Sequence, residues 1–525
     1  MSSDEEDLDL NDEAISQIDN NSDDGEAMDT EDLLDQSSTR GYSAPPPSQQ
    51  ERDIHFQLNP DTLSCDFYDI VPVASAIHPN AIYSLAASRC FRWVLTGSED
   101  GFIRKWDFFA SMNGKTPLTQ AQRHHLGDSV TNSGVISSWW ENEEQPGMLT
   151  TSEIGGQGGE PITKLESGDM DSSQETAITP TTPTTTAPPT NSSLNEPRLS
   201  PPFSMDMQSE ALWSVQGMES GAIQLATIRH DEGKCHHVFR KHTMPVSVIR
   251  ITPGETGIIS GSWDKNVLEW DLNAGSLVRE YSGHVAQLST AQFQPIYTPF
   301  TNPAKSNDSK STVDNDTSTS NEPTDSADKN DGGDNTALLW DQKNPDIFLT
   351  ASVDGQVLIW DRRAQKEATK VGLPEKTPPW TLSACWSTDG SKIYVGRRNG
   401  TVDEWDYVGQ KLNQSLRMPL NSGPVYHVNA MPNGKHIICA STDNIRLWNT
   451  TVDSSYTIRP DGTNTSTTKP SSAIPFTIIP GHHGGMTSHI VVDPTCRYMI
   501  TASGNRGWEG VSTNTCLFYD ISPIV

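Results

Sequence analysis

Apolar and polar residues alternate in short segments along much of this chain, and tight turns join the segments in pairs. In the stretch LTGSEDGFIRKWD, residues 95–107, an apolar run is followed by a Glu-Asp-Gly turn and then by an alternating run that ends in Trp-Asp. An Asp-Gly turn between two alternating runs is a strong signal for a β-hairpin. A lone hairpin is only marginally stable in water, so this unit needs neighbours to pack against.

The same unit recurs along the chain. Six further copies follow the pattern, and the last two are degenerate: IISGSWDKNVLEWD (258–271), FLTASVDGQVLIWD (348–361), IYVGRRNGTVDEWD (393–406), HIICASTDNIRLWN (436–449), MITASGNRGWEGVSTNTCLFYD (499–520) and LWSVQGMESGAIQLATI (212–228). The pattern therefore predicts seven hairpin units.

Several units are preceded by a histidine at a turn, namely His78, His242, His284 and His482. This His…Trp-Asp period resembles the WD40 repeat, which forms one four-stranded blade about every 40–45 residues. We therefore predict an all-β, seven-bladed WD40 β-propeller. In such blades the His, a strand Ser or Thr, the turn Asp and the Trp form a buried hydrogen-bonded set. The residues assigned to this repeat structure are Asp100, Trp106, His242, Asp264, Trp270, His284, Asp354, Trp360, Trp405 and Trp448.

Composition limits how much of the chain joins this fold. Only 34% of the residues are hydrophobic and the formal net charge is −31, a combination typical of partly unfolded chains. Four segments have that character: an acidic tail over 1–60, and insertions at about 146–204, 301–336 and 451–472. Without them roughly 350 residues remain, about 50 per repeat. We therefore expect one propeller over 61–525 and no second domain.

The order of strands in a blade predicts where these segments leave the propeller. Strands a to d run antiparallel from the axis outward, so a–b and c–d loops lie on one face and b–c turns and d–a loops on the other. We call the second the Asp-turn face, because it carries the turn aspartates, and the first the opposite face.

All four segments are expected on the opposite face. This interpretation places 146–204 and 301–336 in a–b loops, 451–472 in a c–d loop, and the tail before an outer strand near Asp66–Val71 that completes the last blade. The Asp-turn face is then short-looped and rigid, and suited to docking a protein. The alternative is that insertions are tolerated wherever loops are exposed.

Three aromatic residues, Trp263, Trp380 and Tyr426, are predicted to lie near the Asp-turn face. Aromatic side chains are enriched at the hot spots of protein interfaces, which makes these three candidate partner-binding residues. The alternative is ordinary packing between neighbouring blades.

The acidic tail has two interpretations. Residues 1–39 contain fifteen Asp or Glu and no Lys or Arg, which favours solubility. Apolar residues among the acids instead indicate a segment that orders on a basic partner. Direct, sequence-specific nucleic-acid binding is disfavoured because the net charge repels phosphates. The candidate partner-binding residues of the tail are Asp4, Glu5, Glu6, Asp7, Leu8, Leu10, Ile15, Ile18, Leu33 and Leu34.

No catalytic motif is apparent, since the sequence has no GxSxG, no HExxH and no phosphate loop ending in GK[ST]. The paired histidines at 124–125, 236–237 and 482–483 do not predict a metal site, because adjacent strand residues point to opposite faces. The sequence contains no run of about 18 apolar residues, which is the length that would indicate a membrane span. We therefore expect no enzyme activity, no cofactor or metal, no membrane contact and no homo-oligomer.

One stretch is more specific than the repeats. Residues 101–147, with FFASMNGK, AQRHH and SWWENE, resemble the WD40 subunit of the SAGA transcriptional coactivator, of the Spt class known in fungi. The acidic N-terminus and the insertion after SWWENEE are similar too. This resemblance implies a non-catalytic nuclear scaffold that docks on other SAGA subunits, contacts TATA-binding protein and regulates its delivery to promoters.

Such a tail could cover the basic, concave DNA-binding surface of TATA-binding protein and compete with DNA. Two other functions stay open at this point: a propeller that reads histone tails, and one that recruits substrates to a ubiquitin ligase. A propeller hydrolase would need titratable groups clustered at the central channel.

Overall fold

Seven sheets, each with four antiparallel strands, form a closed ring in the computed structural model, and a two-residue parallel strand extends one of them. The structure describes residues 58, 60–123, 130–144, 198–296, 343–364, 369–374, 377–451, 456–458, 464–466, 475–482, 484–508 and 511–525. The inner strand of each sheet contacts the inner strand of the next, and the first sheet meets the last. The predicted seven-bladed β-propeller is therefore confirmed.

The strands are numbered in chain order, and each blade is given from the axis outward. Blade 1 contains Ile82–Ala87 (β2), Trp93–Ser98 (β3), Phe102–Asp107 (β4) and Val135–Glu141 (β6), and blade 2 contains Ser204–Met207 (β9), Trp213–Gly217 (β10), Ala222–Thr227 (β11) and Cys235–Arg240 (β12). Blade 3 contains Val248–Ile251 (β13), Gly257–Gly261 (β14), Val267–Asp271 (β15) and Ser276–Tyr281 (β16), and blade 4 contains Leu288–Pro295 (β17), Lys343–Ser352 (β18), Val357–Asp361 (β19) and Thr369–Val371 (β20).

The remaining blades have the same order. Blade 5 contains Ala384–Trp386 (β21), Lys392–Gly396 (β22), Thr401–Asp406 (β23) and Lys411–Arg417 (β24), and blade 6 contains Val425–Ala430 (β25), His436–Ser441 (β26), Ile445–Asn449 (β27) and Phe476–Ile479 (β30). Blade 7 contains Thr487–Val492 (β31), Tyr498–Ser503 (β32), Thr515–Ile524 (β33) and Phe67–Ile77 (β1). Short additional strands are Asn132–Ser133 (β5), Glu143–Glu144 (β7), Arg198–Leu199 (β8), Tyr456–Ile458 (β28) and Asn464–Ser466 (β29).

The repeated hairpins of the sequence form strands b and c in every blade. In blade 3, for example, Ile258 of β14 pairs with Trp270 of β15. All five residues of β14 are buried, whereas four of the six in β16 are exposed. The middle strands are buried on both sides because each blade packs between two others, which explains their continuous apolar runs.

The N-terminal strand closes the ring. As the sequence predicted, β1 is the outer strand of blade 7 and pairs with β33, from Phe67 opposite Ile524 to Ile77 opposite Thr515. A short helix, Pro60–Ser64 (α1), precedes this strand. The last blade is therefore built from both ends of the described chain.

A long connection between strands c and d of blade 1 also contacts blade 7. It contains two short helices, Phe108–Met112 (α2) and Gln120–Arg123 (α3), and Asp107 caps the first by accepting a hydrogen bond from the Ala110 amide at 2.9 Å. The Phe108 ring lies 5.3 Å from the Phe518 ring of blade 7. The FFASMNGK stretch therefore helps to hold the first blade to the last.

The predicted position of the 146–204 insertion is wrong. GVISSWWEN contains β6, which is the outer strand of blade 1 rather than the inner strand of the next blade. The insertion therefore lies in a d–a connection on the Asp-turn face, where β7 pairs with β8. The sequence did not show this because strands c and d of blade 1 are separated by an unusually long connection, residues 108–134. The outer strand therefore lies far along the sequence from its own hairpin.

The other three segments connect as predicted. Residues 301–336 fall between strands a and b of blade 4, residues 451–472 fall between strands c and d of blade 6, and the tail precedes the outer strand of blade 7. The described pair β28–β29 lies within the second of these segments. By connectivity, three segments are therefore joined to strand ends at the opposite face and one to strand ends at the Asp-turn face.

The Asp-turn face is also not uniformly short-looped, contrary to the prediction. The b–c connection of blade 7 spans residues 504–514, whereas that of blade 1 spans only 99–101. This longer connection, which we call the blade 7 loop, reaches across the central channel, as described below.

Candidate functional site

Blade 3 contains the complete hydrogen-bonded set expected of the repeat. His242 Nδ1 lies 2.9 Å from the Asp264 carboxylate and its Nε2 lies 2.8 Å from the Ser260 hydroxyl, which also accepts a hydrogen bond from Trp270 Nε1 at 2.8 Å. Burial alone raises the pKa of Asp264, but hydrogen bonds from His242 and two backbone amides leave it below its usual value. The set joins the d–a loop, the b–c turn and strand c.

Blade 4 has the same set with one extra hydroxyl. His284 Nε2 and Trp360 Nε1 both lie 2.7 Å from the Thr350 hydroxyl. His284 Nδ1 contacts the Ser352 hydroxyl at 3.0 Å, and that hydroxyl donates to Asp354. Burial lowers the pKa of His284 to about 4, so this imidazole is neutral at physiological pH.

Blade 1 retains the histidine but pairs its turn aspartate differently. His78 Nε2 and Trp106 Nε1 each lie 2.8 Å from the Thr96 hydroxyl. Asp100 is instead held by Arg104 from strand c, with Nη1 3.2 Å from Oδ1. Burial, with repulsion from Arg104, lowers the pKa of His78 to about 4.

Blade 6 also pairs its turn aspartate with an arginine from strand c. Arg446 Nη2 lies 2.6 Å from Asp443 Oδ2, and its Nη1 donates to the Ser441 hydroxyl at 2.6 Å. Burial by itself raises the pKa of Asp443, but the hydrogen bonds from Arg446 and Ser441 outweigh it and hold the pKa well below its usual range. Arginine at this position of strand c is the sequence signal for this variant.

Two of the repeat tryptophans lack a hydrogen-bond acceptor. The Nε1 atoms of Trp405 and Trp448 are buried without a partner among the described residues. At the place that Ser260 occupies in blade 3, blade 5 has Val395 and blade 6 has Cys439. These two blades therefore rely on apolar packing of the indole rather than on the hydrogen-bonded set.

The candidate Trp263 lies in a cluster of aromatic rings on the Asp-turn face. Its ring is 4.7 Å from that of Trp508 and 5.5 Å from that of Phe203. Trp508 belongs to the blade 7 loop, so the contact joins blades that lie apart in the ring. All three rings are half-buried or buried, which makes this cluster a structural support of the face as well as a candidate contact.

The candidates Trp380 and Tyr426 lie next to one another. Their ring centroids are 6.3 Å apart, and Thr442 lies with its hydroxyl 3.3 Å from the Tyr426 hydroxyl. Both rings are half-buried at the junction of blades 5 and 6. The structure therefore brings this pair together and keeps it separate from Trp263. The ten tail candidates, from Asp4 to Leu34, lie outside the described residues.

Exposed apolar side chains also mark the Asp-turn face. Val285 and Leu420 are 67% and 92% exposed at the tips of d–a loops, and Val511 is 70% exposed in the blade 7 loop. Met244, in another d–a loop, is 42% exposed. These residues were missed in the sequence because single apolar residues in loops carry no periodic signal.

The blade 7 loop places an arginine in the central channel. Arg506 Nη2 donates to the Ser247 carbonyl at 3.1 Å and to the Ser289 carbonyl at 2.8 Å, at the inner strands of blades 3 and 4. His427 and His489, on the inner strands of blades 6 and 7, lie with ring centroids 6.4 Å apart. The one available signal was length, since the 499–520 unit has 22 residues against 14 in 258–271.

The described residues contain no group of three or more His, Cys, Asp or Glu that could hold a metal ion. Within the same residues, no helix is long and apolar enough to cross a membrane.

Comparison with known proteins gives a consistent result. The profile of the SPT8 beta propeller family matches residues 68–158 and 175–522. SAGA complex subunit SPT8 of Saccharomyces cerevisiae is 36% identical, covering 87% of this chain and 73% of its own. SAGA complex subunit Spt8 of Schizosaccharomyces pombe is 33% identical, covering 89% and 81%. Small ribosomal subunit protein RACK1 of Drosophila melanogaster is 26% identical over only 31% of this chain. The chain belongs to the SPT8 beta propeller family.

Proposed function

We propose that this chain is a non-catalytic, nuclear scaffold subunit of a SAGA-type transcriptional coactivator. The observation that carries the proposal is the similarity to two SAGA complex subunits over 87% and 89% of the chain. The family match extends through all seven blades and includes the 108–134 connection, which general propeller repeats do not explain. Purification of the tagged full chain tests the proposal, and recovery of cullin components in place of acetyltransferase subunits would overturn it.

We further propose that the acidic tail binds TATA-binding protein and regulates its delivery to promoters. Fifteen acids in the first 39 residues suit the basic, concave surface that this protein presents to DNA. The apolar residues among them, such as Leu8 and Leu33, add contacts that a purely charged tail lacks. The tail therefore competes with DNA for the same surface.

Deletion of residues 1–57 tests the role of the tail. We expect weaker binding to TATA-binding protein and a shallower dependence of the affinity on salt, because fewer ion pairs form. Equal affinity and an unchanged salt dependence in the shortened chain would exclude the tail.

Two variants of the tail distinguish the contribution of its charges to binding from that of its apolar side chains. In one, Asp4, Glu5, Glu6 and Asp7 become Asn or Gln; in the other, Leu33 and Leu34 become Ser. The first should change the association rate and the salt dependence, and the second mainly the dissociation rate.

We propose the Asp-turn face as the surface that docks on other subunits of the complex. The exposed Leu420 lies in the d–a loop that precedes blade 6, next to the strand that carries Tyr426, whose ring contacts that of Trp380. Leu420→Ser should reduce recovery of the other subunits without changing stability. Val408, 82% exposed in a c–d loop of the opposite face, provides the control Val408→Ser. Loss of assembly with the control alone would assign docking to the opposite face.

A further inference from the structure

Four nitrogen-bearing side chains gather at the end of the central channel nearest the Asp-turn face. Arg250, His427 and His489 are the third residues of the inner strands β13, β25 and β31, and Arg506 enters from the blade 7 loop. Blade 3 lies across the ring from blades 6 and 7. The side chains therefore come from opposite sides of the ring and face one another across the central channel, rather than belonging to one blade.

Local backbone geometry places the two histidines. β25 shifts register between Val425 and His427, and β31 shifts between Thr487 and His489. A β-bulge of this kind changes the direction of the side chain that follows it. Blades 1 and 4 have the same shift, before Ser84 and Thr290. The bulge is therefore a feature of several blades, whereas imidazoles at this position occur in the two adjacent blades 6 and 7.

Neutral carbonyl groups fix both guanidinium groups in place. Arg506 contacts two carbonyls across the channel, as described above, and Arg250 donates from Nε to the Ala291 carbonyl at 3.0 Å and from Nη1 to the Ile249 carbonyl at 2.8 Å. The carboxylate on the neighbouring inner strand, Asp206, accepts the Ile251 amide at 2.8 Å. In the described part of the chain, neither guanidinium forms an ion pair.

The cluster consequently has unbalanced positive charge and unused donors. His427 Nδ1, His489 Nδ1 and Arg506 Nε are buried without a partner among the described residues. Burial, with repulsion from Arg506 and Arg250, lowers the pKa of His427 to about 3 and that of His489 well below its usual value. Burial and the nearby Arg250 lower the pKa of Arg506 to about 10, so this guanidinium is still charged at neutral pH.

Arg250 and Arg506 are half-buried, and charged groups that are partly withdrawn from water are costly unless another charge or a set of hydrogen bonds compensates them. Guanidinium groups bind oxyanions in a forked geometry, and neutral imidazoles can donate one further hydrogen bond each. We propose that Arg250, Arg506, His427 and His489 form a site for a small oxyanion of the phosphate class. The bound anion links blades 3, 6 and 7 and steadies the blade 7 loop, including Trp508.

Inorganic phosphate is the probe, used with the full chain at neutral pH. We expect the melting temperature to rise by a few degrees in phosphate relative to chloride at equal ionic strength, since a ligand that binds only the folded state stabilises it. Titration calorimetry should show one phosphate per chain. Tripolyphosphate in a parallel titration distinguishes a site for free phosphate from one that accepts a longer phosphate chain.

Two variants and one control assign the effect to this cluster. Arg506→Gln removes the charge and can still donate to the carbonyls, and His489→Asn removes an imidazole. We expect Arg506→Gln to weaken phosphate binding by about tenfold or more, because hydrogen bonds from charged groups are the strong ones. Arg198, whose side chain is 80% exposed, gives the control Arg198→Gln, which should bind like the native chain.

The melting temperature of each variant is compared with and without phosphate. A substitution that changes stability in the absence of phosphate therefore does not alter the measured phosphate shift. Equal melting temperatures in phosphate and chloride would overturn the proposal. So would an equal phosphate shift in the native chain and in Arg506→Gln, or crystals grown in phosphate that show only water between the two arginines. Binding of subunits or of TATA-binding protein is not measured, so the proposed function is tested separately.

Discussion

Phe67 pairs with Ile524 in antiparallel register, so the outer strand of blade 7 comes from the opposite end of the chain to the rest of that blade. As the outer strand of blade 7, β1 covers the edge of β33, and removal of β1 exposes that edge. The stability of blade 7, and with it the closure of the ring, therefore depends on a strand that follows the acidic tail and α1.

A chain that starts at residue 79 should lose cooperative unfolding, because deletion of β1 also uncovers the buried contacts of Tyr68 and Ile70. A chain that starts at residue 58 keeps α1 and β1 and is the matched control. Thermal unfolding, monitored by circular dichroism, compares the cooperativity and the melting temperature of the two shortened chains. Equal melting temperatures for the two shortened chains would show that β1 is dispensable.

Thr350→Val removes one hydroxyl and leaves two partners, His284 and Trp360, without their hydrogen bond. Leaving buried polar groups unpaired costs about 1–3 kcal/mol, so we expect destabilisation in that range. The reverse exchange, Val395→Thr in blade 5, offers the orphaned Trp405 Nε1 an acceptor and should be neutral or slightly stabilising. Chemical denaturation measures both. Similar losses of stability in the two variants would mean that the hydrogen bonds of the hydroxyl do not account for the stability that the His–Thr–Trp set provides.

The buried histidines predict a loss of stability in mild acid. The folded-state pKa of His78 and of His284 is about 4, against about 6.5 in an unfolded chain, so the unfolded state binds more protons between these values. Stability is therefore complete above about pH 6.5 and falls as the pH decreases towards 4. Melting temperatures measured across this window should show the decline.

His284→Gln should reduce the slope of that decline, although it also lowers stability at pH 7 through the lost hydrogen bonds. His230 is exposed, so His230→Gln is the control and should leave the slope unchanged. A native slope in His284→Gln would contradict the assignment of the decline to buried imidazoles.

Arg397 and Asp403 form an ion pair in which both side chains are almost fully buried, with 2.8 Å between Nε and Oδ2. Arg397→Met leaves the carboxylate buried and unpaired, which should cost about 3–5 kcal/mol. The double change Arg397→Met with Asp403→Asn should recover part of the loss. Arg363→Met, at a residue whose side chain is 65% exposed, should show no measurable effect. Additive losses in the double variant would argue against coupling of the pair.

The number of blades and the closing strand followed from the sequence alone. Alternating runs around Asp-Gly and related turns specify hairpins locally, because side-chain direction in a strand repeats every two residues. The hairpins number seven, and the residues left after removal of the four polar segments suffice for seven blades. The last blade lacked an outer strand, which the DFYDIV segment supplies. The pairing of the turn aspartate with a strand-c arginine in blades 1 and 6 was not predicted, although Arg104 and Arg446 are visible in the sequence.

Only the tertiary structure decided which strand GVISSWWEN forms, where the blade 7 loop lies, and which polar groups meet in the channel. An outer strand and an inner strand have similar local patterns, and they differ in what packs against them. The approach of Arg506 to Ser247 and Ser289 joins residues more than 200 positions apart. Such contacts depend on the closure of the whole ring, and no local pattern of residues encodes them.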